Sequence, residues 1–105
     1  MLAHSVFFLL KDRTPQAAAA LVAACQQHLT GHPGTLAFGV GTCSGYDRQV
    51  NDRDYDVALH IVFDSHASHD AYQVAPRHHT FVAENSTGWA KVRVFDADLT
   101  NFKAG

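Results

Sequence analysis

The amino-acid sequence predicts a two-layer α+β domain, in which a four-stranded antiparallel sheet carries helices on one face. Three observations predict it. Four stretches rich in Val, Phe, Ile and Leu are spread along the 105 residues. Helical stretches separate the first from the second and the third from the fourth, so the order is βαβ followed by βαβ. The strands are apolar at consecutive positions instead of alternating with polar residues, so both faces of the sheet need a cover.

Leu2 to Leu10 is almost continuously apolar and reads as the first strand. Thr14 is a suitable helix cap and Pro15 suits a first turn. From Pro15 to His28 the chain is Ala-rich, and Ala18, Leu21, Val22, Cys25 and Leu29 recur on one helical face. Gly31 and Pro33-Gly34 stop this helix. Thr35 to Cys43 is the second strand, Ser44 to Asp54 an exposed polar loop, and Tyr55 to Phe63 the third strand. Ser65 caps a short helix that ends near Gln73, because Pro76 disfavours its continuation. A second helical piece covers Arg77 to about Asn85. Ser86-Thr87-Gly88 break it, and Trp89 to Asp96 is the fourth strand. Residues 97–105 form a tail, and residues 1–105 a single domain. Paired antiparallel, the two units make a ferredoxin-like sandwich.

In the first strand Val6, Phe8 and Leu10 point one way, Phe7 and Leu9 the other. In the third, Val57, Leu59, Ile61 and Phe63 oppose Ala58 and Val62. Helices cover one face. The simplest cover for the other is a second copy of the same sheet, a symmetric homodimer. His60 lies on that shared face.

Composition excludes several classes. The apolar fraction is 47% and the formal net charge −2 with both signs scattered. That argues against disorder and against a basic nucleic-acid footprint. Cys25 and Cys43 make no disulfide framework and read as free thiols. The start of the chain lacks a basic region and a long apolar run, so neither a signal peptide nor a membrane span is expected, and a cytoplasmic location follows. There is no nucleophile elbow, phosphate loop or dinucleotide fingerprint. No cofactor is expected.

The unusual count is eight histidines, spread through the predicted elements. His4 interrupts an apolar strand, so it is buried or lines a cavity. In Tyr72-Gln73-Val74-Ala75-Pro76-Arg77-His78-His79-Thr80-Phe81 a phenol and an imidazole recur close together. If both segments face one cavity, it holds groups that move protons near neutral pH.

These pieces resemble a known family. They are His4 with Phe7-Phe8-Leu9-Leu10-Lys11-Asp12, then Pro33-Gly34, Tyr55 and Phe63-Asp64. Tyr72…Pro76-Arg77-His78…Phe81 and Phe95-Asp96 complete the set. Together they are similar to the stress-responsive α/β-barrel family of dimeric ferredoxin-like proteins, over most of the chain. Many of its members have no assigned reaction, and one is a polyketide cyclase that performs an intramolecular aldol condensation. The resemblance implies that His4, Tyr72 and His78 correspond to that cyclase's working residues. The cyclase's third-strand histidine falls at Val57, and a histidine common before the proline falls at Ala75. His69 instead stands where relatives place a branched apolar residue, one turn before Tyr72. The alkyl pocket of the cyclase meets an Ala run here, so its substrate does not carry over.

Three readings follow. The first is a small dimeric protein binding a modest apolar or aromatic ligand between sheet and helices, with His69, Phe8, Val57, Leu59 and Phe81 lining the pocket. The second is an enzyme doing cofactor-free proton transfer on a carbonyl compound, by cyclisation, isomerisation or lyase chemistry. There His78 is the base, Tyr72 steadies an enolate oxygen, and His4 or His69 orients one of them. The third is a structural stress protein. Each residue also has a plain role. His4 can be a buried, hydrogen-bonded histidine, Tyr72 an aromatic core residue, and His78 a helix-start residue holding the loop, whereas as a base it is helped by the helix N-terminus, which lowers its pKa. A shared pocket predicts a hydrogen bond from His78 to Tyr72, direct or through one water. His66 and His69 lack a nearby carboxylate or Cys ligand, so no metal site is expected. His28 and His32 flank the first helix end, where positive charge is welcome.

Overall fold

The computed structural model describes residues 1–103, and the last two residues of the expected tail, 104 and 105, lie outside the described residues. The elements run β1 (Leu2–Leu10), α1 (Pro15–Leu29), β2 (Thr35–Thr42), β3 (Val57–Phe63), α2 (His66–Val74), α3 (Pro76–Asn85) and β4 (Trp89–Asp98), with a 3-10 turn at Ser86–Gly88. The strands form one antiparallel sheet in the order β2-β3-β1-β4. Helices cover one face, which is the predicted ferredoxin-like architecture.

β1 is central and paired on both sides, and its residues alternate between buried and half-buried. Leu2, His4, Val6, Phe8 and Leu10 face the helices; Ala3, Ser5, Phe7 and Leu9 face away. The helix side is sealed by Leu21, Cys25 and Leu29 of α1, by Leu59, Ile61 and Phe63 of β3, and by Phe81 of α3. Burying each such large side chain contributes about 1.5–3 kcal/mol. Burial also pushes the Cys25 thiol up to about 12, so it is an inert core residue.

The ends show local chemistry at work. Thr14 caps α1 by accepting from the Ala17 amide, and Ser65 caps α2 by accepting from Ser68. Ala75, extended at φ −66 and ψ 145, separates α2 from α3 because Pro76 follows it. β3 begins at Val57 and not at Tyr55. Asp56 just before it turns its carboxylate to the Leu10 amide at 2.9 Å and to Arg13. β4 runs two residues past Asp96, because Ala97 and Asp98 find partners in Ala3 and Leu2.

Candidate functional site

His4 is only 5% exposed in the middle of the sheet, where an unpaired imidazole would be costly. Its partner comes from β4: Nδ1 lies 2.6 Å from Asp96 Oδ1. The two are directly opposed in the β1–β4 ladder. On the helix side the His4 ring centroid lies 4.7 Å from His69 and 5.9 Å from Tyr72.

Helix α2 presents His69 and Tyr72 three residues apart, on one face. Their rings lie nearly parallel, 6.3 Å apart. The Gln73 amide nitrogen donates to His69 Nε2 at 2.9 Å, so the ring nitrogen is the acceptor there. Tyr72 is buried at 2% exposure, and buried His32 meets it edge-on at 5.0 Å. His32 Nε2 donates to the His28 carbonyl at 2.8 Å. His32 is therefore a core residue against the phenol ring, where the sequence suggested only a helix-end charge. His28 lies 3.4 Å from Glu84.

His78 sits in the first turn of α3, and its ring meets Tyr72 edge-on at 4.8 Å. The adjacent Arg77 anchors this turn by donating to the Thr30 and Gln27 carbonyls, both at 2.7 Å. Those carbonyls belong to the α1 C-terminus, which lacks intrahelical donors. No direct hydrogen bond joins His78 to Tyr72, contrary to the direct form of that expectation; the two rings meet edge-on instead.

A cavity of about 190 Å³ lies between the sheet and helices α2 and α3. His4, Tyr72, Gln73 and His78 supply its polar lining. Phe8, Leu59 and Phe81 are among its apolar lining. Val57 is fully buried in the core and does not line this cavity, and His69, whose ring lies 4.7 Å from that of His4, is not on its wall either. Trp89, Val92 and Val94 of β4 form a wall that sequence reading missed. Val92 is 38% exposed and Val94 51%, although their register partners Phe8 and Val6 are buried. The cavity therefore opens along the β4 edge, where no helix covers the sheet.

The electrostatics favour neutral groups. Burial lowers the pKa of His78, and the neighbouring imidazoles, led by His79, lower it further. Burial is thus the largest cause, where the sequence suggested the helix terminus. Burial and then His4 lower His69. Burial pushes the Tyr72 phenol up, so it remains a donor at neutral pH. A neutral imidazole edge-on to a neutral phenol can accept a proton while the phenol supports a developing oxyanion. Separately, one potential ligand atom each from His4, His69 and Asp96 lies within 4.8 Å of the others. Among the described residues no helix is long and apolar enough to cross a membrane.

A family model described as the stress responsive A/B barrel domain matches residues 2–99. No curated protein matches the chain by sequence. Solved structures show the same fold. A dimeric ferredoxin-like protein of unknown function from Thermobifida fusca is 21% identical, with 93% of this chain and 90% of that one covered and a TM-score of 0.75. A ferredoxin-like protein from Mesorhizobium loti is 19% identical, with 95% and 97% covered and a TM-score of 0.78. The hydroxynitrile lyase of Passiflora edulis is 20% identical, with 97% and 96% covered and a TM-score of 0.74.

Proposed function

This chain belongs to the stress responsive A/B barrel family, and from that premise we propose that it is a homodimer binding a small apolar or aromatic molecule in the cavity between sheet and helices. One observation carries the reading: His4, Tyr72 and His78, with Gln73, are gathered in a cavity whose other named walls are apolar. Such a lining suits a ligand with one polar end and an aliphatic or aromatic body. Phe8, Leu59 and Phe81 contact the body, and His78 and Tyr72 meet the polar end.

The dimer reading rests on the helix-free face. Phe7 lies 5.0 Å from Tyr55 and 5.8 Å from both His60 and Phe95, and Phe95 is 57% exposed. An aromatic cluster left open in one chain is suited to an isologous contact. The Thermobifida fusca neighbour is described as dimeric.

The second reading is catalytic, and the depressed His78 beside the raised Tyr72 favours it. His78 takes a proton α to a carbonyl and Tyr72 donates to the enolate oxygen, in cyclisation, isomerisation or lyase chemistry. His4, held by Asp96, keeps the polar end in register.

The test is ligand-observed and protein-observed NMR with a panel of small aryl and alkyl ketones and aldehydes. Binding should shift the His78 and Tyr72 signals, and Val94→Trp at the open edge should abolish it. If no compound of this class shifts those signals at millimolar concentration, the binding reading fails. A bound compound that is also turned over selects the catalytic reading.

A further inference from the structure

We infer that His4, His69 and Asp96 form a binding site for a divalent transition-metal ion of borderline character, such as Zn(II), Co(II), Ni(II) or Fe(II). The three residues come from β1, α2 and β4, so only the folded chain assembles them. Their candidate ligand atoms lie within 4.8 Å of one another. Two imidazoles and a carboxylate around a common point are a donor set these ions favour, and one that leaves coordination positions open.

The burial gradient fits an entry path. His4 is 5% exposed and fixed in the sheet. His69 is half-buried on α2, and the Asp96 side chain is 37% exposed on the outer strand. An ion would reach the site from the β4 edge, past Asp96. Ligand atoms each about 2.1 Å from a tetrahedral ion lie about 3.4 Å apart. The two more exposed side chains must therefore close in by small rotations while His4 stays. The ion would replace the proton now held between His4 and Asp96 at 2.6 Å. The Gln73 side chain, 2.9 Å from His69 Nε2, can orient a metal-bound imidazole only once its amide turns so that Oε1 accepts the ring N–H. The sequence hid this site, because the missing carboxylate lies 27 residues after His69, on another strand.

The inference goes beyond the ligand-pocket reading and does not depend on it, since its readout is ion binding. The full chain, stripped with a chelator, is titrated with Co(II) and followed by its visible d–d bands. One Co(II) per chain should bind saturably, yield to Zn(II), and resist excess Mg(II), which prefers all-oxygen octahedral sites. His69→Ala and Asp96→Asn should each weaken binding by at least roughly 10–100-fold, the range lost with even an outer-shell partner. His66→Ala should leave it unchanged, although His66 pairs with Asp98 on the nearby surface. Paramagnetic broadening in the wild-type chain gives a check free of folding effects. It should centre on His4, His69 and Asp96, and not on His28 or His79. No saturable bands, binding that survives both ligand substitutions, or broadening centred elsewhere would overturn the site.

Discussion

Asp96 holds His4: their side chains meet at 2.6 Å, Nδ1 to Oδ1, from directly opposed positions of β4 and β1. The carboxylate accepts, so the imidazole proton is assigned to Nδ1, and the Nε2 lone pair is free to face the cavity. The pair is buried on one side only, with His4 at 5% and Asp96 at 37% exposure. Its value is therefore orientation more than stability.

Asp96→Asn should thus leave stability within about 1 kcal/mol, the usual range for a partly exposed pair. It should also disturb the His4 tautomer and weaken ligand binding at the polar end of the cavity. Urea denaturation and the ¹⁵N shifts of the His4 ring separate the two effects. A large stability loss with an unchanged tautomer would contradict this division.

His78→Ala and Tyr72→Phe separate binding from chemistry. Under the catalytic reading His78→Ala lowers the rate roughly 10²–10⁴-fold, the worth of a positioned base. Tyr72→Phe lowers it about 10²–10³-fold, the worth of one oxyanion donor. Under the binding reading both change affinity alone. Full turnover in both variants would place the chemistry elsewhere.

The sheet, its helices and most element ends were legible in sequence, because the apolar runs, the Thr14 and Ser65 caps and Pro76 act locally. The site was legible only in part. His4 stood out as a polar group in an apolar strand, and Tyr72 and His78 by their spacing in the stretch that carries the family resemblance. Asp96 did not, because its role comes from the β1–β4 register and not from its neighbours in the chain. Val92 and Val94 read as ordinary strand residues, and only the uncovered edge makes them a cavity wall. His32 looked like a helix-end charge until the turn after α1 brought its ring onto Tyr72.

Gly34 is a sharper stability test than Gly31. Both have positive φ, +83° and +73°. A Cβ at Gly31 meets open space, whereas at Gly34 it falls 2.2 Å from Ser68 Oγ and 2.8 Å from Asp64 Oδ1. Gly31→Ala should cost about 1–2 kcal/mol, the left-handed penalty alone. Gly34→Ala should cost more, because it also disrupts the Ser68–Asp64 hydrogen bond, 2.6 Å long, at the start of α2. Thermal denaturation of the two variants compares them directly, and equal losses would refute the contact argument.

Phe7→Asp tests assembly. The substitution puts a charge amid Tyr55, His60 and Phe95 on the helix-free face. A dimer joined there should dissociate, since an unpaired charge at an interface centre is strongly unfavourable. Light scattering should report a dimeric wild-type chain and a smaller variant. A folded monomeric wild-type chain at micromolar concentration would rule the homodimer out.

The pH dependence follows from the two depressed histidines. His69 and His78 are held below the ordinary imidazole value in the folded chain, by burial first. Unfolding returns them to about 6.5. Between the folded and unfolded values the unfolded chain binds more protons, so stability rises with pH across that window. Above about pH 6.5 both states are neutral at these sites and their contribution is flat. As pH falls below 6.5 the unfolded chain is favoured, until the folded values are passed and the loss saturates. The urea midpoint at about pH 5 should therefore lie below that at about pH 7.5. His69→Gln combined with His78→Gln should flatten the slope, which isolates these two rings from the other histidines. The same depression keeps His78 unprotonated at neutral pH. Any turnover it drives should fall with an apparent pKa below 6.5, and a fall centred above that value would exclude His78 as the base.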